Sequence, residues 1–529
     1  MNNQTRRAYL VGSGIGNLAA AAYLIKDGGF LGRNITIYEE EDLPGGALKE
    51  PIPVPEDGYM IRGERMFEEN YVCFYDLCSF IPSLEDPSKT VKQDTLEFTK
   101  EYPWHNKARL VVDGSVVSLD SYGFNEKDRL ELLALTAKPE SASNGKRISD
   151  VFSDHFLTTN FWHMWKTLFA FEPWHSAIEM RRYLLRFMHL FPDMWTQAMI
   201  HHTRYNQYDS VVRPLVRWLT DRDVQLVGNT RVTDIDIGDD DAEITARRLL
   251  MVQDGKEKSV EVGPEDIVIA TLGSMVANAS FGTSDSPAQV NTSPELCGSW
   301  ALWETLSEKR KYIFRDPSVF TGHVGESDFI SFTATQTDPL FFQLVQKLSG
   351  NEPGRNGIIS VPESNWMLTF ILNHQPYYQN QPANINVFYG LGLYSHEIGN
   401  KVKKPMIQAS GREILEELVH HLGFEADADR ILDTSIVRAC YQPFITSQFL
   451  KRKVSDRPDV VPEGSTNLAL TGQFVEVPDD CVFTMEYSVR SAQMAVYGLL
   501  PELGKEPAPF QHVSRDIRVV YNAVKAMST

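Results

Sequence analysis

The sequence predicts an α/β protein: a discontinuous Rossmann-like domain built from separated stretches of chain, an inserted mixed α/β domain, and a helical C-terminal region. Three observations predict it. Near the start, a short apolar run enters a glycine turn and an alanine-rich segment, residues 8–25. Two later apolar runs, residues 266–274 and 467–474, also end in glycine. The long stretches between them have a different character, rich in large apolar side chains.

The first element is Ala8-Tyr-Leu-Val-Gly12-Ser-Gly14-Ile-Gly16-Asn17. Its apolar start reads as a buried parallel strand. Gly12 permits a tight turn, Gly14 lets the backbone approach a pyrophosphate, and the helix beginning near Gly16 offers free N–H groups and a positive dipole end. Asn17 stands where the usual fingerprint has its third glycine. A second strand, residues 34–38, ends in Glu39, followed by Glu40, at the distance suited to binding ribose hydroxyls. The pair Gly45-Gly46 lies six residues beyond Glu39. A plain nicotinamide site has no need of it, whereas flavoproteins of the amine-oxidase and desaturase type use such a pair to wrap closely around FAD. The plainer alternative is an ordinary Pro-Gly-Gly turn.

Arg62-Gly63-Glu64-Arg65-Met66 follows, placing two arginines beside a glycine and leading into a helical pattern at residues 72–80. These arginines suit a pyrophosphate or a flavin ring, or else a solvated helix start. Residues 90–120 read as strands of the inserted sheet and 127–200 as mostly helical. The aromatic concentration at 160–176 reads by composition as core, although the wall of an apolar ligand channel needs the same residues. A helix at 211–220 precedes a strand at 224–232, ending at Val232, that returns to the dinucleotide domain. Gly273 and Ser274 close a third buried strand. Gly472, Phe474, Phe483 and Thr484 close the last strand and open the last helix, whose N-terminus aims at the flavin. The expected division is 1–85, 211–280 and 431–500 for the FAD-binding domain. Residues 86–210 and 281–430 form the inserted substrate regions, and 501–529 a helical tail.

With 529 residues, the chain is long enough for two or three domains, and 42% hydrophobic residues exclude wholesale disorder. No apolar run approaches the roughly 18 residues that span a bilayer, and the expectation is a cytoplasmic protein with no signal peptide ahead of the first strand. A net charge of −19 argues against a nucleic-acid partner. The five cysteines are odd in number and lack zinc spacing, so they read as reduced, mostly buried thiols and no metal is expected. Asp239-Asp-Asp241 reads as a solvated acidic turn. In the tail, Val513, Ile517, Val520 and Val524 recur at helical spacing beside Arg515, Arg518 and Lys525. That pattern offers a peripheral membrane contact, or a helix packed on the body of the protein.

Several words of this sequence resemble the oleate hydratases, fatty-acid double-bond hydratases once called myosin-cross-reactive antigens. They are residues 62–84, Phe169-Ala-Phe-Glu-Pro-Trp-His-Ser, Met180-Arg-Arg-Tyr183, Tyr205-Asn-Gln-Tyr-Asp-Ser, Thr271-Leu-Gly-Ser-Met and the Gly472-Gln-Phe to Arg490 region. The resemblance implies FAD-dependent addition of water to the cis-9 double bond of oleic acid, giving 10-hydroxystearic acid without net redox change. It assigns Tyr183 the protonation of the double bond, and Gln207 and Asn373 the substrate carboxylate. Ile371 and Tyr377 stand where a Thr and a His are usual, Tyr377 still offering a hydroxyl. Met66 aligns with the family's water-activating Glu, which leaves Glu64 as a substitute base. The N-terminal extension of dimeric members is missing, so a monomer is expected.

Protonating an isolated alkene asks much of a phenol whose ordinary pKa is near 10. Arg62, Arg65 or Arg182 nearby would strengthen it as an acid. The same FAD elements also suit a redox flavoenzyme of the amine-oxidase or carotenoid-desaturase type. A fatty-acid-binding flavoprotein that has lost catalysis remains open too, because a thioether such as that of Met66 cannot act as a base.

Overall fold

A computed structural model of the chain describes residues 3–50, 54–117, 121–238 and 243–527. The Asp239–Asp241 turn lies outside them. The first strand, Ala8–Val11, is central in a five-stranded parallel sheet in the order Leu468–Thr471, Ile267–Thr271, Ala8–Val11, Ile35–Tyr38, Gln225–Val227. Ala8–Val11, Ile267–Thr271 and Leu468–Thr471 are almost wholly apolar and almost wholly buried, as a sheet covered on both faces requires, while the edge strand Gln225–Val227 is not. The Ile15–Lys26 helix packs beside the last long helix, Met485–Leu499. Four consecutive alanines, Ala19 to Ala22, are fully buried and allow that close approach.

Asn17 belongs to this framework and not to a ligand surface. It is fully buried. Its amide donates to the carbonyls of Val11 (2.7 Å) and Gly12 (3.0 Å), and its oxygen accepts the Thr471 hydroxyl at 2.8 Å. A glycine at this place would let the helix approach the strand. The asparagine instead stitches two strand ends to the helix.

Two strands were expected as one at 224–232. The chain forms Gln225–Val227 on the edge of the parallel sheet, turns at Asn229 (φ 50°), and starts a second, antiparallel sheet with Thr230–Asp236. Arg248–Gln253 and Lys256–Glu261 complete that three-stranded sheet. The left-handed residue, an asparagine that tolerates it, breaks what hydrophobicity alone reads as continuous.

An eight-stranded sheet forms the other layer. Its order is Ser280–Phe281, Ser435–Gln442, Phe329–Gln336, Asn386–Gly392, Leu368–Leu372, Ile359–Ser360, Arg109–Val112, Ser115–Val117. Ser435–Gln442 therefore sits inside this sheet, paired along its whole length with Phe329–Gln336. Among the described residues of 90–120 only the Arg109–Val112 and Ser115–Val117 hairpin is strand. Val91–Glu101 is a helix started by a Thr90–Gln93 capping box. The pleat sorts alternate residues: Phe388 faces one apolar cluster, while Val387, Tyr389 and Leu391 face another together with Tyr59, Ile61 and Tyr377. On this second face the segment before Arg62 lies against the sheet. The Tyr59 and Ile61 amides donate to the Thr335 and Thr333 hydroxyls, each at 2.8 Å.

In the tail, the Ile517–Ala526 helix buries Ala523 against the body and leaves Ile517 (82%) and Tyr521 (67%) exposed. Among the described residues no helix is long and apolar enough to cross a membrane.

Replacing Asn17 by Ala removes the side-chain donor from two strand-end carbonyls, while the Thr471 hydroxyl keeps the Thr271 hydroxyl at 3.1 Å. The expected loss is about 1–3 kcal/mol of stability, measurable by urea unfolding of the cofactor-free protein.

Candidate active site

The carboxyl ends of the parallel strands open onto a cavity of about 440 Å³. Gly12, Gly14 and Gly16 form its floor, and Glu39, Glu40, Gly45 and Gly46 one wall. Arg62, Val232, Gly273, Ser274, Gly472, Phe474, Phe483 and Thr484 also line it. Of the residues expected around a cofactor, Asn17 and Gly63 do not. Asn17 is consumed by the framework, and Gly63 is pressed against the Arg65 side chain.

The local geometry follows from the glycines. Gly12 turns the chain at φ 89° directly after the strand. Gly46, at φ 55°, approaches Gly14 so closely that a Cβ on it would lie 3.0 Å from the Gly14 Cα. The first turn of the Ile15–Lys26 helix has no side-chain cap and no acidic residue. Its amides point into the cavity as an anion-binding end. A Cβ at Gly14 would meet nothing within 4 Å, so the space over the turn is open. Glu39 takes the Ser13 amide at 2.8 Å and the Ser13 hydroxyl on one oxygen, and the Glu41 amide at 3.0 Å on the other. Glu40 accepts the Gly298 amide (2.9 Å) and pairs with Arg231. Two arginine nitrogens, Arg62 Nε and Arg65 Nη2, are buried and have no partner within the protein. Two cationic groups, an uncapped helix end and an acid at the end of the second strand together form a receptor for a dinucleotide.

Gln473 was not expected. Its amide donates to the Thr484 carbonyl (2.9 Å) and the Ser488 hydroxyl (2.7 Å), and its oxygen accepts the Phe483 amide. It fixes the strand end against the start of the last helix. Its place between Gly472 and Phe474 was the available signal.

Tyr183 lies on the Ala177–Arg186 helix and is 1% exposed. Phe169, Phe171, Phe187 and Phe449 surround its ring at centroid distances of 5.0, 4.9, 5.4 and 5.6 Å. Its hydroxyl donates to the Val482 carbonyl at 2.7 Å, one residue before the cavity-lining Phe483. No arginine acidifies it. Burial holds its proton on, well above the ordinary tyrosine range. Arg182 points away, onto Glu140 (2.8 Å), Glu476 and the carbonyls of Val477 and Asp480. Part of the aromatic run at 160–176 is therefore core, and part is this tyrosine's shell. Phe169 and Phe187 also line a second, small apolar cavity with Trp165, Leu168 and Met194.

Glu64, Gln207, Asn373 and Tyr377 come together elsewhere, on the apolar face of the eight-stranded sheet. Glu64 Oε2 accepts the Tyr377 hydroxyl at 2.7 Å and the Asn373 amide at 2.9 Å, with Gln207 nearby, its own amide donating to the Thr203 hydroxyl at 3.4 Å. Burial raises the Glu64 carboxyl above its ordinary range, and these bonds and Arg65 only partly offset it. Nearby, burial pushes Glu50 up to about 8 against the pull of Arg62. Met66 is half-buried and lines neither cavity.

A glycine turn between strand and helix, a closely wrapped second glycine pair and a cavity over the strand ends define a dinucleotide-binding protein of the doubly wound α/β class. The chain belongs to the MCRA family, whose model matches residues 5–497. It is 37% identical over 509 residues to an oleate hydratase of Streptococcus pyogenes serotype M49 (strain NZ131), covering 94% of this chain and 85% of that one. It is 33% identical over 531 residues to a linoleate hydratase of Lactiplantibacillus plantarum, covering 93% of each. Among solved structures, cyclohexylamine oxidase from Brevibacterium oxydans IH-35A shares the fold. Its TM-score is 0.56 at 12% identity, over 94% of this chain and all of that one.

His175, in the Phe-Glu-Pro-Trp-His-Ser turn beside Phe449, supplies a pH test. Its Nδ1 accepts the Glu172 amide at 3.0 Å and its other nitrogen meets the Glu326 carbonyl at 3.1 Å, so the ring is neutral. Burial lowers its pKa from 6.5 to about 3, against the pull of the Glu326 carbonyl. The unfolded chain takes up a proton here that the fold refuses. This stability is present in full above about pH 6.5 and is lost as pH falls toward 3. Urea unfolding between pH 7 and about pH 5 should show that loss, and a His175→Asn variant should show a shallower one.

Proposed function

We propose that this protein is an FAD-dependent hydratase that adds water to the cis-9 double bond of oleic acid and related unsaturated fatty acids, giving 10-hydroxystearic acid from oleate. The observation that carries the reading is Tyr183, a fully protonated phenol in an aromatic shell one residue behind the cofactor cavity. The identity with hydratases over nearly the whole chain supports it.

FAD fits the cavity. The uncapped helix end with Arg62 and Arg65 would hold its pyrophosphate, and Glu39 the adenosine ribose. When bound, the flavin supplies a dipolar surface, anionic when reduced, beside positive charge developing on the substrate. The chain's own contribution is proton handling. Tyr183 gives its proton to one alkene carbon, water adds its oxygen to the other, and the proton released by the water restores the phenol. The shell does not lower the tyrosine pKa. It keeps stray water away from a cation-like centre and turns aromatic faces toward it. Such a centre is electrophilic enough to capture neutral water, so Met66 in place of a base does not abolish the reaction. The five-stranded nucleotide layer and the eight-stranded layer divide the work between cofactor and substrate head group.

A second reading concerns the tail. Ile517, Tyr521 and Val524 face outward, and Arg129 on the Glu126–Ala137 helix donates to the Met527 carbonyl. That helix exposes Leu130 and Leu133. On a protein of net charge −19, the tail helix also carries Lys525 and Arg518, the latter paired with Asp516 at 2.9 Å. We propose it as a peripheral contact with the membrane that holds the substrate.

Mass spectrometry of oleate incubated with FAD-loaded protein should show the gain of one water without consumption of oxygen or added NAD(P)H. Oxygen uptake with loss of hydrogen from the substrate would indicate a redox flavoenzyme instead. Tyr183→Phe should lower the rate by a factor of about 10²–10⁴ at unchanged flavin absorbance. Ile517→Asp combined with Tyr521→Asp should abolish co-sedimentation with anionic vesicles and leave the fold intact by circular dichroism.

A further inference from the structure

The cluster around Glu64 has the chemistry of a carboxylate receptor, and its occupant belongs to the protein. Tyr377 and Asn373 are each 5% exposed and converge on a single oxygen. Gln207 lies close to the same carboxylate, its amide turned to the Thr203 hydroxyl. Tyr377 and Asn373 are neutral donors, and the cation that faces the carboxylate is Arg65. Two donors or acceptors beside it remain buried without a partner, Arg65 Nη2 and Asn373 Oδ1. They leave the site incompletely satisfied by Glu64 alone.

We propose that Glu64 is an internal competitor for this receptor, so that a substrate carboxylate takes up the Tyr377 and Asn373 donors only as Glu64 leaves them. The proposal rests on the fatty-acid reading above and names the residue that sets head-group affinity. Two carboxylates held on one neutral donor set repel each other, and burial strengthens the repulsion. Displacement is open to Glu64 because the segment carrying it is only half-buried from Gly63 to Met66. A proton on Glu64 also releases it. The titratable groups that face it are Arg65, Glu50, Tyr377 and Tyr389, with Arg62 and Tyr378 bearing on Glu50. Burial raises all of Glu50, Tyr377 and Tyr389, so these stay protonated and neutral on the acid side of neutrality. The raised pKa of Glu64 lets it join them as pH falls. A ligand without a carboxylate gains nothing from the change, since it does not contend for the same donors.

The test compares FAD-loaded wild type, Glu64→Ala and Glu64→Gln on oleate and on oleyl alcohol, between about pH 6 and pH 8.5. Glu64→Ala should lower KM for oleate about tenfold, with Glu64→Gln between it and wild type, and leave KM for oleyl alcohol in place. In wild type, KM for oleate should rise with pH more steeply than in Glu64→Ala. An unchanged or higher oleate KM in Glu64→Ala, or an equal fall for oleyl alcohol, would overturn the proposal. Loss of kcat at unchanged KM would overturn it too, and would place Glu64 on the attacking water. Calorimetric titration with oleate separates this idea from the hydratase reading. Tighter oleate binding by Glu64→Ala in a protein that hydrates nothing would sustain the competitor and sink the activity. Should the variants not fold, the wild-type pH dependence of oleate binding, set against that of oleyl alcohol, decides alone; equal slopes reject the proposal.

Discussion

The placement of Tyr183 depends on a buried carboxylate four residues before it. Glu179 is fully buried and accepts Arg452 at 2.6 Å and Arg457 at 2.9 Å, both also fully buried. Burial alone would raise its pKa, but Arg452, Arg457 and Arg182 outweigh that and hold it at about 2. Residues four apart share a helix face. The ion pairs that pin Glu179 therefore also rotate Tyr183 inward, against Phe449 from the same returning segment. Arg186, one turn further, pairs with Glu68 at 3.3 Å and ties the helix to the chain just after Met66. Removing one partner of such a pair costs about 3–5 kcal/mol, because the other charge stays buried. The aromatic shell is apolar and does not by itself specify an orientation. The charges beneath it do.

How much of this was legible in the sequence depends on range. Features decided within a few residues could be read: the Gly12–Gly14 turn, the acid at Glu39, the Gly45-Gly46 pair and the strand ends at Gly273 and Gly472. Those that failed were decided by partners far along the chain. Ser435–Gln442 carries Ser, Arg and Gln among its apolar residues. What assigns its place is an eight-residue antiparallel register with Phe329–Gln336, a hundred positions away and carried by no local pattern. Asn17 occupies a fingerprint position, and its role appears only once Thr471 lies beside it.

The site shows the same limit more sharply. Gln207, Asn373 and Tyr377 were named through a resemblance, and Glu64 was considered separately as a base. Nothing in their spacing says that all four meet. Arg182 is one of three arginines read as acidifying Tyr183, yet adjacent helix positions point about 100° apart. Its guanidinium serves Glu140 and Glu476 instead. Sequence neighbours on a helix are poor predictors of electrostatic neighbours, whereas positions 179, 183 and 186 do share a face.

Tyr183 and Tyr377 lie in different apolar clusters, and Phe483 is where those clusters meet. It packs against both. Its ring lies 5.5 Å from Phe449 of the tyrosine shell and 5.3 Å from the Arg65 guanidinium, next to Glu64. It also lines the cofactor cavity. Its backbone is left-handed, φ 69°, a conformation that costs a bulky residue about 1–3 kcal/mol. Gln473 over-determines that geometry by accepting the Phe483 amide while donating to Thr484 and Ser488. A less strained backbone here would swing the ring out of the junction and leave Val482 unable to hold the Tyr183 hydroxyl. The connection between Tyr183 and the Glu64 cluster therefore runs through one strained aromatic residue and the glutamine that holds it.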